Sequence, residues 1–107
     1  MKIIKFGKDY PKLDEDIFTS IRMDDKDLKL HDLVTIQTPT SETTVEVVGM
    51  EYCRLEQLSL HELTKDTGVY FGTSIGLWEK ILHELRKYYP KLRWDSMIYF
   101  YKFSKGD

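Results

Sequence analysis

The chain has 107 residues, a length that suits a single domain (residues 1–107) with one core and not two. Sixteen basic against 18 acidic side chains leave a net charge of −2, which excludes the strongly basic surface of a protein that grips long nucleic-acid duplexes. A lone cysteine, Cys53, excludes an internal disulfide, and no stretch approaches the roughly 20 apolar residues of a membrane helix, so a soluble cytoplasmic protein is expected. Charge is unevenly spread: residues 31–68 hold two basic and seven acidic side chains, and residues 69–107 hold seven basic and four acidic.

"KIIKF" (Lys2–Phe6) reads as a short strand, and its apolar run is too short for a signal peptide. Gly7 and Pro11 break the next segment, with a helical turn expected near Leu13–Ile17. "FTSIRM" is a second strand, whose alternation puts Phe18, Ser20 and Arg22 on one face and Thr19 and Ile21 on the other. "DDKDLKLHD" is polar and turn-like. "LVTIQT" (Leu33–Thr38) is β-branched and stops before Pro39. A long strand covers "TTVEVVGMEYCRL", with Val45, Val47 and Gly49 on one face and a bulge or bend expected at Gly49.

"SLHE" (Ser59–Glu62) has the spacing of a capping box and opens a short helix that Gly68 should end. Leu77, Trp78, Ile81, Leu82 and Leu85 recur at three- and four-residue steps, the stripe of an amphipathic helix. Thr73 or Ser74 can cap it, and Pro90 stops it. "SMIYFYKF" (Ser96–Phe103) closes the chain as an aromatic strand. Strands come first, then two helices, then a strand, without regular βαβ alternation, so an α+β fold is expected.

"IFTSIR" (Ile17–Arg22), "LKLHDLVTI" (Leu28–Ile36), "VEVVGMEYCRLEQLSLHELTKDTG" (Val45–Gly68) and "LWEKILHELRKYYP…MIYFYKF" follow one another in an order that resembles the activating-signal-cointegrator homology (ASCH) domain of the PUA-like superfamily. The resemblance spans nearly the whole chain. It implies a small, partly open β-barrel of about five strands with two or three helices packed around a cleft, and the strand from Phe18 lining that cleft. Some relatives bind RNA or nucleotides there, and one bacterial branch of similar size deacylates 4-acetylcytidine with a lysine, a threonine and a glutamate. Carried over, the branch's second threonine falls on Ser20, its arginine on Arg22, its glutamate on Asp66 and its lysine on Ile17. A glycine before an aspartate becomes His31 before Asp32. Lys5 and Lys12 are the lysines able to reach in from a neighbouring strand or turn.

Each candidate has two readings. Arg22 either pairs with Asp24, Asp25 or Asp32, or presents a fork of donors to a phosphate or base edge. Thr19 and Ser20 are either ordinary strand residues or contacts to a ligand carbonyl or amide. Asp66 is either a solvated acid or a general base near Ser20. Tyr70 and Phe71 are either core or a stacking surface for an unpaired base. The glycines of "GTSIG" lack the lysine and spacing of a P-loop, although amides at Thr73 and Ser74 suit an anion. His31, His61 and His83 lack metal-ligand spacing, with His61–Asp66 a weak pair at best, so no metal and no cofactor is expected. Cys53 reads as a small buried hydrophobe. In "KYYPKLRW" (Lys87–Trp94) basic and aromatic residues interleave, which suits an RNA-facing edge or the cover of a helix end. The expected function is binding of RNA or a modified nucleoside by Thr19, Ser20, Arg22, Asp66 and Tyr70. The alternatives are an amidohydrolase using Ser20 and Asp66 and a protein-interaction module; the oligomeric state is left open.

Overall fold

Segments rich in β-branched and aromatic residues pair into one mixed sheet in a computed structural model, which describes residues 2–69 and 74–106. They are β1 (Lys2–Lys5), β2 (Ile17–Arg22), β3 (Leu33–Gln37), β4 (Glu42–Arg54) and β5 (Met97–Ser104). The order across the sheet is β1-β3-β4-β5-β2. β1 runs parallel to β3, and the other neighbours pair antiparallel. Helices α1 (Leu60–Thr67) and α2 (Ser74–Arg86) complete an α+β fold, with 3-10 turns at Pro11–Asp14 and Leu55–Gln57. The first turn comes earlier than the Leu13–Ile17 turn expected from the sequence. Pro11 supplies the fixed φ of a first helical position, and Ile17 is already paired with Ser104.

The sheet is not closed into a barrel. β1 and β2 are its edges and share no ladder. It curls nonetheless, because Phe6, just past β1, meets Phe18 of β2 edge-on with 6.5 Å between ring centres.

Side-chain alternation divides the buried apolar residues between the two faces of this sheet. Length argued for one core; the sheet makes two clusters. Ile4, Phe18, Val34, Ile36, Val45, Val47, Tyr101 and Phe103 fill the concave side. Ile21, Cys53, Ile98 and Phe100 pack on the other side against Leu63 of α1 and Leu77, Ile81 and Leu85 of α2. β2 and β5 thus serve both clusters.

A bulge between Val47 and Gly49 sets which residues of β4 go where. Val47 pairs with Phe103, but Gly49 pairs with Lys102 and Met50 with Tyr101. The extra residue, Val48, reverses the alternation, so Gly49 faces away from Val47 and does not share its face as the simple period of two implied. A Cβ at Gly49 would sit 3.2 Å from Cβ of Lys102, which favours glycine there.

Local chemistry sets the ends of α1. Ser59 Oγ accepts from the Glu62 amide at 3.1 Å, and Glu62 Oε1 accepts from the Ser59 amide at 2.9 Å. Gly68 ends the helix at φ 76°, in the left-handed region where a side chain is strained. Ser59→Ala should therefore lower stability by about 1 kcal/mol, read as a shift of the urea midpoint at unchanged m, with Ser59→Gly costing less. α2 ends at Arg86, ahead of Pro90. No helix among the described residues is long and apolar enough to cross a membrane.

Candidate functional site

The chemistry gathers at the open edge of β2. Thr19 Oγ1 donates to Asp66 Oδ1 at 2.7 Å, and Lys12 Nζ reaches the same oxygen at 3.1 Å. Lys12 comes from the Pro11–Asp14 turn and Asp66 from the last turn of α1. Both are buried, with side chains 9% and 4% exposed. The Lys12 ammonium also lies 5.2 Å from the ring centres of both Phe6 and Tyr10. Burial pulls its pKa below the ordinary lysine value, against the attraction and hydrogen bond of Asp66, and the charge of Arg22 pulls in the same direction as burial. Lys12 therefore gives up its proton more readily than a surface lysine does.

Ser20 and Arg22 share a face of β2, as alternation requires. Arg22 Nε donates to Ser20 Oγ at 2.6 Å, and Nη2 donates to the Lys5 carbonyl at 3.1 Å. The guanidinium carbon lies 4.8 Å from the Phe6 ring centre. Arg22 thus spans the gap between the two sheet edges. It makes no ion pair with a described residue. The Asp24 carboxylate instead meets Lys26, Asp25 accepts from the Asp27 amide, and Asp32 accepts from the Lys29 amide.

Lys12, Ser20, Arg22 and Asp66 line one half-open pocket with a free interior of about 60 Å³. Its aromatic walls are Phe6, Tyr10, Tyr88 and Tyr89. Tyr88 leans on Gly7, where a Cβ would come within 3.2 Å of the ring, and its hydroxyl bonds that of Tyr10. Burial, then the Tyr88 contact and the nearby Glu84 and Asp66 carboxylates, push the Tyr10 phenol up, so it stays protonated. Glu84 closes the far wall between Lys8 at 2.9 Å and Lys87 at 2.7 Å. Burial works to raise its pKa, but the two ammonium groups hold it below the usual carboxylate value.

The structure brings Ser20, Arg22 and Asp66 to this cavity, and Thr19 to Asp66 from the opposite face of β2. Thr19 itself faces a second hollow, shared with His61 and Lys65. Tyr70, Phe71 and Thr73 lie outside the described residues, as does the side chain of Ser74. Ile17, where the family resemblance puts a lysine, is 53% exposed and absent from the cavity wall. The Lys12 ammonium does lie on that wall. Lys5 contributes its carbonyl to Arg22, and its side chain is exposed. His61 is exposed and makes no pair with Asp66, and among the described residues no His, Cys, Asp or Glu cluster forms that could hold a metal. Cys53 is buried in the second cluster. Within Lys87–Trp94, Lys87 is tied to Glu84, Arg93 to Asp95, and Trp94 packs edge-on against Trp78, while Tyr88 and Tyr89 line the cavity.

Tyr10 and Glu84 are wall residues that the sequence did not single out, whereas Tyr88 and Tyr89 entered within the Lys87–Trp94 run. A tyrosine beside Gly7 or Pro11 and an acid in α2 carry no local signal of a cavity.

The chain is 33% identical over 91 residues to the uncharacterised protein MJ0364 of Methanocaldococcus jannaschii, in an alignment covering 81% of this chain and 79% of that protein. No family profile matches the sequence, and no solved structure matches it.

Proposed function

The chain belongs to the same family as the Methanocaldococcus jannaschii protein, and we propose that its cavity binds a nucleoside-sized ligand (a modified nucleoside, a nucleotide or an RNA end) in the manner of an ASCH domain. One observation carries this reading: convergent polar side chains, Lys12, Ser20, Arg22 and Asp66, share a single cavity with the rings of Phe6, Tyr10, Tyr88 and Tyr89. Aromatic faces suit an unpaired base, and hydroxyl, guanidinium and carboxylate suit its hydrogen-bonding edge. On this reading the curled sheet is the partly open barrel of the PUA-like superfamily, and the gap between β1 and β2 is its cleft. The net negative charge of the chain fits a small ligand better than a long duplex.

A second reading, hydrolysis of an acyl amide on such a nucleoside, is favoured by the buried Lys12. Its neutral amine would take a proton from the attacking water, and the resulting ammonium would return that proton to the departing exocyclic amine. Water adds to the carbonyl carbon, the C–N bond breaks, and a carboxylic acid and cytidine result. Asp66, held by Thr19, positions Lys12, and Arg22 faces the oxyanion.

Titration with 4-acetylcytidine tests the first reading. Saturable binding is expected, weakened in Tyr88→Ala by about 1–3 kcal/mol, the worth of one stacked base. Failure of 4-acetylcytidine, cytidine and cytidine monophosphate alike to bind would remove it. Chromatography of the same mixtures tests the second: cytidine should accumulate with the parent protein and not with Lys12→Met, and turnover that survives this substitution rules out Lys12 as the base.

A further inference from the structure

We infer that the ligand of this cavity carries an anionic phosphate and that Arg22 receives it, an inference that rests on the cavity being a nucleoside site. The charges of the wall point there. Lys12 is matched by Asp66, and Glu84 is matched by Lys8 and Lys87. Among the described residues, Arg22 is held only by neutral partners: the Ser20 hydroxyl, the Lys5 carbonyl and the Phe6 ring.

These contacts engage Nε and one hydrogen of Nη2. The remaining three Nη hydrogens have no acceptor among the described residues, and one from each Nη can grip a phosphate or carboxylate in a fork. A half-buried cation left without a counter-ion is costly, and a ring face offsets only part of that cost. Arg22 also works against the positive charge of Lys12. An anion between the two relieves both costs. A protein that only needed a structural arginine could have met it with a carboxylate of the adjacent Asp24–Asp27 loop, yet those groups are engaged elsewhere. The preferred ligand is therefore a nucleoside monophosphate over the free nucleoside.

Isothermal titration with cytidine monophosphate, cytidine and inorganic phosphate tests this. The monophosphate should bind the parent protein about tenfold or more tighter than cytidine, the worth of one charge-assisted contact. That advantage should shrink between roughly 50 and 500 mM salt, while cytidine binding stays level. Arg22→Gln should abolish the advantage, and Arg22→Lys, which keeps the charge and loses the fork, should keep part of it. Equal affinity for cytidine and its monophosphate at low salt overturns the inference without any variant, as does an advantage unchanged in a natively folded Arg22→Gln protein. Cytidine binding alone leaves the nucleoside site standing and removes the anion site. Inorganic phosphate that binds through Arg22 as tightly as the monophosphate keeps the anion site and removes the nucleoside. If none of the three binds, both readings fall.

Discussion

Lys12→Met should destabilise the chain by about 3–5 kcal/mol, because it leaves the Asp66 carboxylate buried with the Thr19 hydroxyl as its one remaining partner among the described residues. Urea denaturation gives the number, and the double substitution Lys12→Met/Asp66→Leu interprets it. Replacing a buried pair by apolar groups of similar volume is often close to neutral, so the double variant should recover most of the loss. A loss under about 1 kcal/mol in the single variant would mean that water reaches the pair and that the cluster is not buried in solution.

The same ammonium sets a pH dependence. The folded pKa of Lys12 lies below its ordinary value of 10.5, so between those two values the unfolded chain holds a proton that the folded chain has released. Stability must then rise with pH through that window, relative to Lys12→Met, and the slope must vanish below it, where both states are protonated. A relative slope of the opposite sign would show that the attraction of Asp66 outweighs burial.

Phe103→Ala should cost about 3–5 kcal/mol, the range for truncating a buried aromatic. Phe103 is fully buried, with ring centres of Phe18 and Tyr101 at 5.6 and 6.2 Å. The effect should also cross the sheet. Trp78 and Trp94 pack against the second cluster, on the face away from Phe103. Because β5 supplies Phe103 to one cluster and Ile98 and Phe100 to the other, tryptophan fluorescence and far-ultraviolet circular dichroism should lose signal at one shared, lowered midpoint. A tryptophan transition that stays at the parent midpoint would show that the two clusters unfold separately.

Much of the local architecture was legible in the residues. The Ser59–Glu62 box and Gly68 fix both ends of α1 through bonds a few residues long. The Leu77–Leu85 stripe buries the face it should, and Gly49 marks the bulge in β4. The alternation in "FTSIR" was enough to put Ser20 and Arg22 side by side, and the hydrogen bond between them agrees with it. These features depend on backbone periodicity and on donors and acceptors near one another in the chain, both of which can be counted along the order of residues.

Other features had no such trace. The bulge was foreseen, yet its reversal of the faces beyond Val48 depends on where β5 pairs. Lys12 was one of two lysines the sequence offered near Ile17, but its pairing with Asp66, 54 positions on, was not readable there. That meeting requires β2 to be a sheet edge, the Pro11 turn to fold over it, and α1 to end beside it. No composition or spacing encodes three such placements, because each is set by how the sheet curls to bury Phe6 against Phe18. Short-range order comes from local bonding, whereas a buried charge finds its partner through the packing of the whole chain.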